Sequence, residues 1–522
     1  MTQVFQNPIL SGFYPDPSIC RVGEDYYMVT SSFAYFPGLP IFHSKDLVHW
    51  EQIGHGIHRA DQLDYKNCEM SLGLWAPTIR YHEGIFYIIN TFVSGGREVY
   101  RDNFIITARD PRGPWSNPVF IEGADGIDPS LFFDDDNTLW YTGNYISDDK
   151  LYEGHHGIYL QQLDPDTLQF IGERKNIWDG NISRSKWIEA PHLYKINGMY
   201  YLITAEGGTF TNHSVMMARS TQIQGEYEIC PRNPIVSHRH LPLLSDISVT
   251  GHADIIRTQN DEWWMVLLAV RPYEGFHYNT GRETFLIPIT WAEDGWPLVD
   301  NHNGLVNITE RRPNLEDYPM LPPDPCDNFE SPTLSLLWNM IHQPTKTFYS
   351  LADRPGYLRL SLSPEVIEEI SSPALIARRQ QDPSCTVKTA FEFTPCNKDE
   401  EAGIVALQDD RYNYIFTKTQ KDGSPILRLS KTEAGNRTII KEIPLSSNEK
   451  LYLTVHCSTS AYHFYYGLDE NQNLLFMNNL PASLLSSNTN EGFTGAYIGM
   501  YASSNRQDSE NFADFDWFHY YK

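Results

Sequence analysis

One pattern of apolar and polar positions occurs five times in the N-terminal part of the chain. Each copy has a short apolar strand, a polar turn with Gly, Asn or Asp, and a second strand rich in Tyr, Ile and Val, which is typical of a β-hairpin. The copies read PDPSICRVGEDYYMV from Pro15, WAPTIRYHEGIFYII from Trp75, IDPSLFFDDDNTLWYTG from Ile127, EAPHLYKINGMYYLI from Glu189 and HADIIRTQNDEWWMV from His252. Such a repeat predicts an architecture of repeated structural units.

The spacing of the copies indicates the size of each unit. They are 60, 52, 62 and 63 residues apart, measured between Asp16, Ala76, Asp128, Ala190 and Ala253. Further strand-like segments, such as GIYLQQLDPDTLQFIG, fill each interval, and amphipathic helix patterns are almost absent. Four strands in each interval describe one blade of a β-propeller. We therefore predict an all-β chain in which residues 1–313 form a five-bladed propeller.

A proline-rich stretch follows the repeats. The sequence RRPNLEDYPMLPPDPCD, from Arg311 to Asp327, is typical of a linker, which we place at residues 314–326. Beyond it, segments such as YLRLSL, YNYIFTK and YLTVHC alternate with the period of a strand but lack the repeat. They favour a β-sandwich, jelly-roll-like in type, as an accessory domain over residues 327–522.

Composition narrows the set of partners. The formal net charge of -26 argues against nucleic acid and against an anionic membrane, because binding to phosphates depends on clustered Lys and Arg. No apolar run approaches the roughly 20 residues that a membrane helix needs. The 31 Tyr and 12 Trp suit stacking on sugar rings, although an all-β core also uses aromatic residues. We expect a small neutral oligosaccharide as ligand and no organic cofactor; a homo-oligomer is left open.

The N-terminal segment and the cysteines favour a reducing compartment. MTQVFQNPILSG has neither the basic region nor the apolar core of a secretory signal. The seven cysteines are odd in number, widely scattered and contain no CxxC pair, so we interpret them as reduced structural thiols rather than zinc ligands. We therefore expect a cytoplasmic protein.

Equivalent positions of the repeat carry the candidate chemistry. The innermost strand of each blade lines the central channel of a propeller, so residues at one repeat position converge on one axis. The start of the repeat holds Asp16, Trp75, Asp128, Glu189 and His252 in blades one to five. A single Asp in a DPS sequence is usually a turn or cap residue. Three carboxyl groups on one axis repel each other, and such clusters are typical of sites that need shifted pKa values.

Glycoside hydrolysis requires two carboxyl groups. One is protonated and delivers its proton to the leaving oxygen, and the other is ionised and activates water or attacks the anomeric carbon. A third carboxyl group nearby can raise the pKa of the acid and orient it. We assign Asp16 as the base, Glu189 as the acid and Asp128 as the tuning group.

Four further residues are candidates with two interpretations each. His252 is either a buried structural histidine or a residue that holds an ion or a water on the axis. Trp75 and Phe33 belong either to the core or to an apolar wall for a sugar ring. Arg282, in NTGRETF, is either a surface residue or a residue whose rigid guanidinium group donates hydrogen bonds to sugar hydroxyls.

Several longer motifs resemble family 43 of the glycoside hydrolases. They are NPILSGFYPDPSICRVGEDYYMVTSSF, GLWAPTIRYHEGIFYI, GIDPSLFFDDD, EAPHLYKINGMYYLITAEGGT, TGHADIIRTQNDEWWMV and GRETFL. DNFESPTLSLLWN is similar to the start of the C-terminal β-sandwich in the β-xylosidase and α-L-arabinofuranosidase branch of that family. The resemblance implies a five-bladed propeller that inverts the anomeric centre in a single displacement. It places the base at Asp16, the pKa modulator at Asp128 and the acid at Glu189.

The same resemblance implies three further features. Calcium often lies in the channel beneath the site in this family, associated with a histidine that matches His252. A substrate-contacting arginine matches Arg282. An aromatic residue of the sandwich often closes the pocket, and Phe493 in GFTGAY is the match.

The substrate prediction depends on a departure from the usual family pattern. This chain has Tyr14 before the Pro-Asp pair, and Tyr35 and Phe36 before the PG turn, where many dedicated β-xylosidases have other residues. That resembles a branch with α-L-arabinofuranosidase activity, alone or with β-xylosidase activity. We predict exo-acting release of α-L-arabinofuranose and β-D-xylose from xylan- or arabinoxylan-derived oligosaccharides. The alternatives are a single-specificity β-xylosidase, an arabinanase, a retaining fructan-type hydrolase and a sugar-binding lectin.

Overall fold

The computed structural model describes residues 3–65, 68–95, 99–299, 303–321, 324–344, 346–446, 450–489 and 491–522. In these ranges the regular structure consists of β-strands, with three short 3₁₀ helices at Gly180–Ile182, Ala482–Leu485 and Ser487–Thr489. The all-β prediction is confirmed. None of the helices in the described ranges has the length and apolar character needed to span a membrane.

The described part of the N-terminal domain contains five antiparallel blade sheets, one for each copy of the repeat, and a two-stranded sheet of the first and last strands. Its strands are, in chain order, β1 (Val4–Gln6), β2 (Ser18–Val22), β3 (Asp25–Val29), β4 (Tyr35–Phe36), β5 (Gly38–Ser44), β6 (Glu51–Ile57), β7 (Gly73–Leu74), β8 (Thr78–His82), β9 (Ile85–Gly95), β10 (Val99–Ala108), β11 (Val119–Phe120), β12 (Ser130–Phe133), β13 (Leu139–Ile146), β14 (His156–Leu163), β15 (Phe170–Asp179), β16 (Glu189–Ile196), β17 (Met199–Glu206), β18 (Ser214–Ser220), β19 (Glu228–Ile229), β20 (Val236–Ser237), β21 (Ser248–Arg257), β22 (Trp263–Val270), β23 (Glu283–Trp291), β24 (Pro297–Val299) and β25 (Thr309–Arg311). Blade one contains β2, β3, β5 and β6, blade two β7 to β11, blade three β12 to β15, blade four β16 to β20, and blade five β21 to β24.

The five sheets form a closed ring. The inner strands contact one another in the order β2, β8, β12, β16 and β21, and β21 contacts β2. The start of the chain is bound to the last blade: the side-chain amide of Asn7 donates to the carbonyl oxygen of Leu286 at 2.9 Å, and its oxygen accepts from Leu286 N at 2.9 Å. The domain is therefore the five-bladed propeller that the repeat predicts.

Each inner hairpin turns through a residue with a left-handed backbone. The φ angles are 64° at Gly23, 83° at Gly84, 64° at Asn137, 80° at Gly198 and 65° at Asp261. Gly, and next to it Asn and Asp, adopt this conformation at the lowest cost. A Cβ atom at any of the three glycines would meet nothing within 4 Å, so the backbone conformation and not lack of space favours glycine there.

The C-terminal domain is a sandwich of two antiparallel sheets. Its strands are β26 (Cys326–Asp327), β27 (Met340–Ile341), β28 (Tyr349–Ser350), β29 (Leu358–Ser361), β30 (Leu375–Arg379), β31 (Cys385–Glu392), β32 (Glu401–Asp409), β33 (Tyr412–Lys421), β34 (Ser424–Glu433), β35 (Asn436–Pro444), β36 (Leu451–Cys457), β37 (Ala461–Gly467), β38 (Leu474–Pro481), β39 (Tyr497–Ser503) and β40 (Phe512–Tyr521). One sheet has the order β28-β29-β40-β31-β36-β37-β38, with β26 on β40, and the other has the order β30-β39-β32-β33-β34-β35. The linker predicted for residues 314–326 includes residues 322–323, which lie outside the described residues.

One apolar core continues from blades one and two into the sandwich. The ring of Tyr35 stacks on that of Tyr497, with centroids 3.7 Å apart. Arg379 of the sandwich is 2% exposed and donates from Nε to the carbonyl oxygen of Phe13 at 2.7 Å. β27 also pairs with β4. The sandwich therefore packs against blade one and against the segment that leads into it.

Candidate active site

A left-handed backbone occurs at or next to the start of the repeat in four blades. The φ angle is 56° at Asp16, 54° at Asp128, 53° at Ala190, which follows Glu189, and 51° at His252. A left-handed backbone costs a residue other than glycine about 1–3 kcal/mol, and surrounding packing must hold it in place. The backbone strain is thus concentrated where the inner strands meet the channel.

A cavity of about 230 Å³ lies at this end of the channel. It is lined by Asp16, Phe33, Trp75, Ala76, Ile127, Asp128, Trp187, Glu189, Gly208, Thr209, Phe210, His213, His252, Leu268, Arg282 and Phe493. The structure therefore brings together all eight residues that the sequence singled out. They come from all five blades and from the sandwich.

Asp16 is held by groups that stabilise a negative charge. Arg282 donates from Nη1 to Asp16 Oδ1 at 2.8 Å, and the hydroxyl of Ser31 donates to Oδ2 at 2.5 Å. Both Asp16 and Arg282 are buried, at 3% and 7% exposure. The Nε and Nη2 atoms of Arg282 have no hydrogen-bond partner among the described residues. Arg282 therefore has donors left for a ligand while it fixes the carboxylate.

Asp128 and Glu189 hold their protons more tightly than ordinary carboxyl groups. Burial, the neighbouring Glu189 and then Asp16 raise the pKa of Asp128 well above its usual range, against a hydrogen bond from the backbone N–H of Ala190. Burial and the charge of Asp16 raise the pKa of Glu189 to about 7, and Arg282 opposes that rise. Close to neutral pH the pocket thus contains both a protonated carboxyl group and a carboxylate.

Three aromatic rings form one wall of the cavity. Phe33 stacks on Phe493 with centroids 6.0 Å apart, and Trp75 meets Phe493 edge-on at 5.8 Å. Ser71 fixes both ends of this wall: its carbonyl oxygen accepts from Trp75 Nε1 at 3.1 Å, and its hydroxyl accepts from Phe493 N at 3.0 Å. The guanidinium of Arg282 lies 5.3 Å from the Phe33 ring centre. The wall offers apolar faces on one side of the carboxyl groups.

Trp187, Phe210 and His213 line the cavity but were not expected from the sequence. They lie between blades three and four and within blade four, outside the repeated strands. A Cβ atom at Gly208 would lie 2.9 Å from the Trp187 ring, so the indole packs directly on the glycine backbone. The consecutive glycines of AEGGTF were the available signal for a close contact at this point.

His252 lies beside the carboxylate of Asp16 in the cavity. Its Nδ1 lies 3.7 Å from Asp16 Oδ1, and burial lowers the pKa of the imidazole. Calcium takes six to eight oxygen ligands. Among the described residues, three ligand atoms converge within 4.8 Å only at Asp46, His49 and Asp317, where Arg312 already binds. Calcium at His252 stays a prediction.

Comparison with known proteins gives matches to both domains. The model of glycosyl hydrolases family 43 matches residues 5–297. The model of the β-xylosidase C-terminal concanavalin A-like domain matches residues 326–521.

Full-length relatives are similar along the whole chain. A xylosidase/arabinosidase of Butyrivibrio fibrisolvens is 40% identical over 522 residues, which cover 99% of each chain. A non-reducing end α-L-arabinofuranosidase of Bacteroides ovatus is 38% identical, over 99% of this chain and 94% of its own. The crystal structure of a xylan β-1,4-xylosidase from Bacillus halodurans superposes with a TM-score of 0.94 at 34% identity, covering 99% of this chain and 100% of the other.

The raised pKa of Glu189 predicts a pH-dependent gain in stability when its charge is removed. The folded state binds the Glu189 proton up to about pH 7, whereas the unfolded chain releases it near the ordinary value of 4.5. Ionisation therefore destabilises the fold increasingly between these pH values, and the cost is complete above about pH 7. We expect Glu189→Gln to raise the free energy of unfolding by about 2–3 kcal/mol at pH 8, and by much less at pH 5.

Urea unfolding at both pH values measures this difference. The matched control is Glu173→Gln, an exposed residue of β15. An equal effect of Glu189→Gln at pH 5 and pH 8 would contradict the raised pKa.

Proposed function

The chain belongs to family 43 of the glycosyl hydrolases and is a glycoside hydrolase, and we propose that it releases single pentose units from the non-reducing ends of oligosaccharides. We further propose that it accepts both α-L-arabinofuranosides and β-D-xylosides, in oligosaccharides derived from xylan or arabinoxylan. The observation that carries the proposal is the cluster of Asp16, Asp128 and Glu189 in one small pocket with an aromatic wall.

The three carboxyl groups differ in the ways that hydrolysis requires. In this proposal, Asp16 accepts a proton from the water whose oxygen attacks the anomeric carbon. Glu189 donates its proton to the glycosidic oxygen as the bond between that oxygen and the anomeric carbon breaks. The ion pair of Asp16 with Arg282 supports the base role, and the raised pKa of Glu189 supports the acid role. Exchange with solvent then returns both groups to their starting states.

Asp128 is proposed to tune the acid rather than to exchange protons with the substrate. Burial and the adjacent Glu189 raise the pKa of Asp128, because two neighbouring carboxyl groups resist ionising together. The N–H of Ala190 donates to the Asp128 carboxyl group and links it to the residue after Glu189. Asp128 is therefore suited to fix both the orientation and the proton affinity of the acid.

The size of the pocket supports exo action. A cavity of about 230 Å³ is smaller than the roughly 300–1,000 Å³ typical of sites for drug-sized ligands, and so suits a single sugar ring. Phe493 of the sandwich and Phe33 of blade one close one side, against which the sugar face can pack. A polysaccharide chain that had to pass through the site would need an opening on that side.

Dual specificity is supported by the relatives and by the free donors of the pocket. The Butyrivibrio relative is called a xylosidase/arabinosidase, and the Bacteroides relative an arabinofuranosidase. The two pentosides can present similar hydroxyl positions to one pocket. Arg282 lines the pocket, and its Nε and Nη2 atoms are buried donors without a hydrogen-bond partner among the described residues.

Rates on two model substrates test the proposed specificity. We expect hydrolysis of both nitrophenyl β-D-xylopyranoside and nitrophenyl α-L-arabinofuranoside, with kcat/KM values within about 30-fold of each other, because one extra or lost contact changes specificity by about 1–3 kcal/mol. Initial rates measured side by side check this. Hydrolysis of one substrate only would reduce the proposal to a single-specificity enzyme, and hydrolysis of neither would refute it.

The pH dependence tests the role of Glu189. If Glu189 transfers its proton to the leaving group, kcat/KM falls as the pH rises through about 7, because the acid form is lost. Well above that pH, kcat/KM should fall about tenfold for each pH unit. We expect Glu189→Gln to lose about 100- to 10,000-fold activity on xylobiose, whose leaving group needs the proton. On a dinitrophenyl xyloside, whose leaving group does not need it, the loss should be small and the alkaline decline should disappear.

Two results would count against this assignment. A persistent alkaline decline in Glu189→Gln would show that another group titrates. Full turnover of xylobiose by the variant would show that Glu189 is not the group that protonates the leaving oxygen. Glu173→Gln again provides the exposed control.

The stereochemistry of the first product tests the single-displacement mechanism. An inverting enzyme releases α-D-xylose from a β-D-xyloside, because water attacks the face opposite the leaving group. Proton NMR of the reaction in its first minutes should show the α-anomer before mutarotation. Initial formation of β-D-xylose would indicate retention and would favour the fructan-type alternative.

A further inference from the structure

A second layer of polar side chains fills the channel beneath the three carboxyl groups. We call it the channel network; it consists of Ser18 from blade one, Arg80 from blade two, Ser130 from blade three, His192 and Tyr194 from blade four, and Asp254 from blade five. Every blade contributes to it. Its members are linked to one another by hydrogen bonds and do not line the active-site cavity.

Asp254 is the buried charge of the channel network. It is 0% exposed, and its carboxylate accepts from Arg80 Nη1 at 2.8 Å, from the hydroxyl of Ser18 at 2.7 Å and from Ile19 N at 3.1 Å. The hydroxyl of Tyr194 also donates to it. A buried carboxylate with this many donors is stable only while its positive partner stays in place.

Arg80 connects Asp254 to the remaining blades. Its Nη1 also lies 3.2 Å from the hydroxyl oxygen of Ser18, and its Nη2 donates to His192 Nδ1 at 2.9 Å. Burial lowers the pKa of His192 to about 3, so the imidazole is neutral and can accept this bond. The same Nδ1 lies 3.2 Å from the hydroxyl of Ser130. One guanidinium therefore organises polar groups from blades one, three, four and five.

The channel network lies close in sequence to the proposed catalytic groups. Ser18 is two residues after Asp16, and Ser130 is two residues after Asp128 on the corresponding strand of blade three. His192 is three residues after Glu189, across a bulge between these two residues in β16. A shift of any of these inner strands along the channel would move a carboxyl group and break a bond to the network.

We propose that Arg80 is a positioning residue for Asp16, Asp128 and Glu189, and that its guanidinium is the resident cation of the channel, so that catalysis needs no divalent metal. The proposal rests on the proposed function, because its main readout is pentoside hydrolysis. A small displacement of a catalytic group can cost about 100-fold in rate. Arg80 acts through the strands and does not touch the cavity.

The charges around His252 support the absence of a second cation. Besides burial, Asp16 raises the pKa of the His252 imidazole and Arg282 lowers it, and Asp254 and Arg80 act in the same opposed way on His192. Asp254 is already neutralised by Arg80 and Asp16 by Arg282. A divalent ion would meet two fixed positive groups and two carboxylates already paired with them, and it would have to displace the protons of Asp128 and Glu189 to gain another carboxylate, which is unfavourable in a buried channel.

Substitutions of Arg80 test the positioning role. We expect Arg80→Met to lower kcat on nitrophenyl β-D-xylopyranoside by about 30- to 100-fold while KM changes by less than about threefold, because binding groups stay in place and the reacting groups do not. Arg80→Lys keeps the positive charge but lacks the several N–H donors of the guanidinium group. Its kcat should lie between those of Arg80→Met and the wild type. The matched control is Arg257→Met, a residue of β21 whose side chain is 55% exposed.

The outcomes separate positioning from a purely structural role. A lower melting temperature with unchanged kcat in the folded Arg80→Met protein would overturn the proposal. If Arg80→Met does not fold, the charge-balanced Arg80→Met/Asp254→Asn protein replaces it, and normal kcat in that protein would likewise overturn the proposal. An inactive wild-type enzyme would refute the proposed function instead, so the two failures are distinguishable.

Metal analysis of the wild-type enzyme tests the proposal that catalysis needs no divalent metal. We expect no stoichiometric divalent metal by plasma mass spectrometry, and unchanged kcat after dialysis against EDTA, with or without added calcium. One bound calcium per chain that EDTA removes with a loss of activity would overturn this part. A rise in kcat of more than about threefold on adding calcium would do the same, because it would show that a bound divalent ion contributes to turnover.

Discussion

Each buried charge on the propeller axis is neutralised by a group from another blade. Asp254 of blade five pairs with Arg80 of blade two, and Asp16, which precedes the first strand of blade one, pairs with Arg282 of blade five. An unpaired charge in such a place would cost far more than the few kcal/mol of net stability that a folded protein has. The five blades must therefore pack in the one arrangement that brings these partners together, and the same arrangement brings the pocket residues together.

The same balance explains how an acid and a base can coexist in one small cavity. Two guanidinium groups face four carboxyl groups, of which Asp16, Asp128 and Asp254 are buried and Glu189 is half-buried, so not every carboxyl group can be ionised cheaply. Arg80 and Arg282 each stabilise the carboxylate they contact, and the remaining two carboxyl groups show raised pKa values. The division of roles thus follows from which carboxyl group lies next to an arginine.

The fold could be predicted because the length and strand content of the sequence repeat define the structural unit that is repeated. A hairpin that recurs at nearly constant spacing can bury its faces only against its neighbours, and the left-handed turn residues mark where each hairpin reverses. The convergence of Asp16, Asp128 and Glu189 follows from their shared repeat position. The five-bladed, all-β prediction is confirmed in this way, whereas the roles of the individual carboxyl groups stay predictions.

Other parts of the site could not be predicted from the sequence repeat. Trp187 and Phe210 lie on loops between repeated strands, where loop conformation decides which side chain reaches the cavity. Arg80 occupies an ordinary strand position in the sequence, and its partner Asp254 is 174 residues away. Phe493 was found only through family resemblance, because no periodicity connects the sandwich to the channel.

The origin of the aromatic wall has a consequence for biosynthesis. Phe493 lies close to the C-terminal end, on a loop that precedes β39, and the sheet opposite is completed only when β40 inserts between β29 and β31. A nascent chain that has already folded its propeller therefore has the three carboxyl groups but an open pocket. The order of the two domains along the chain makes the competent site one of the last parts to be assembled on the ribosome.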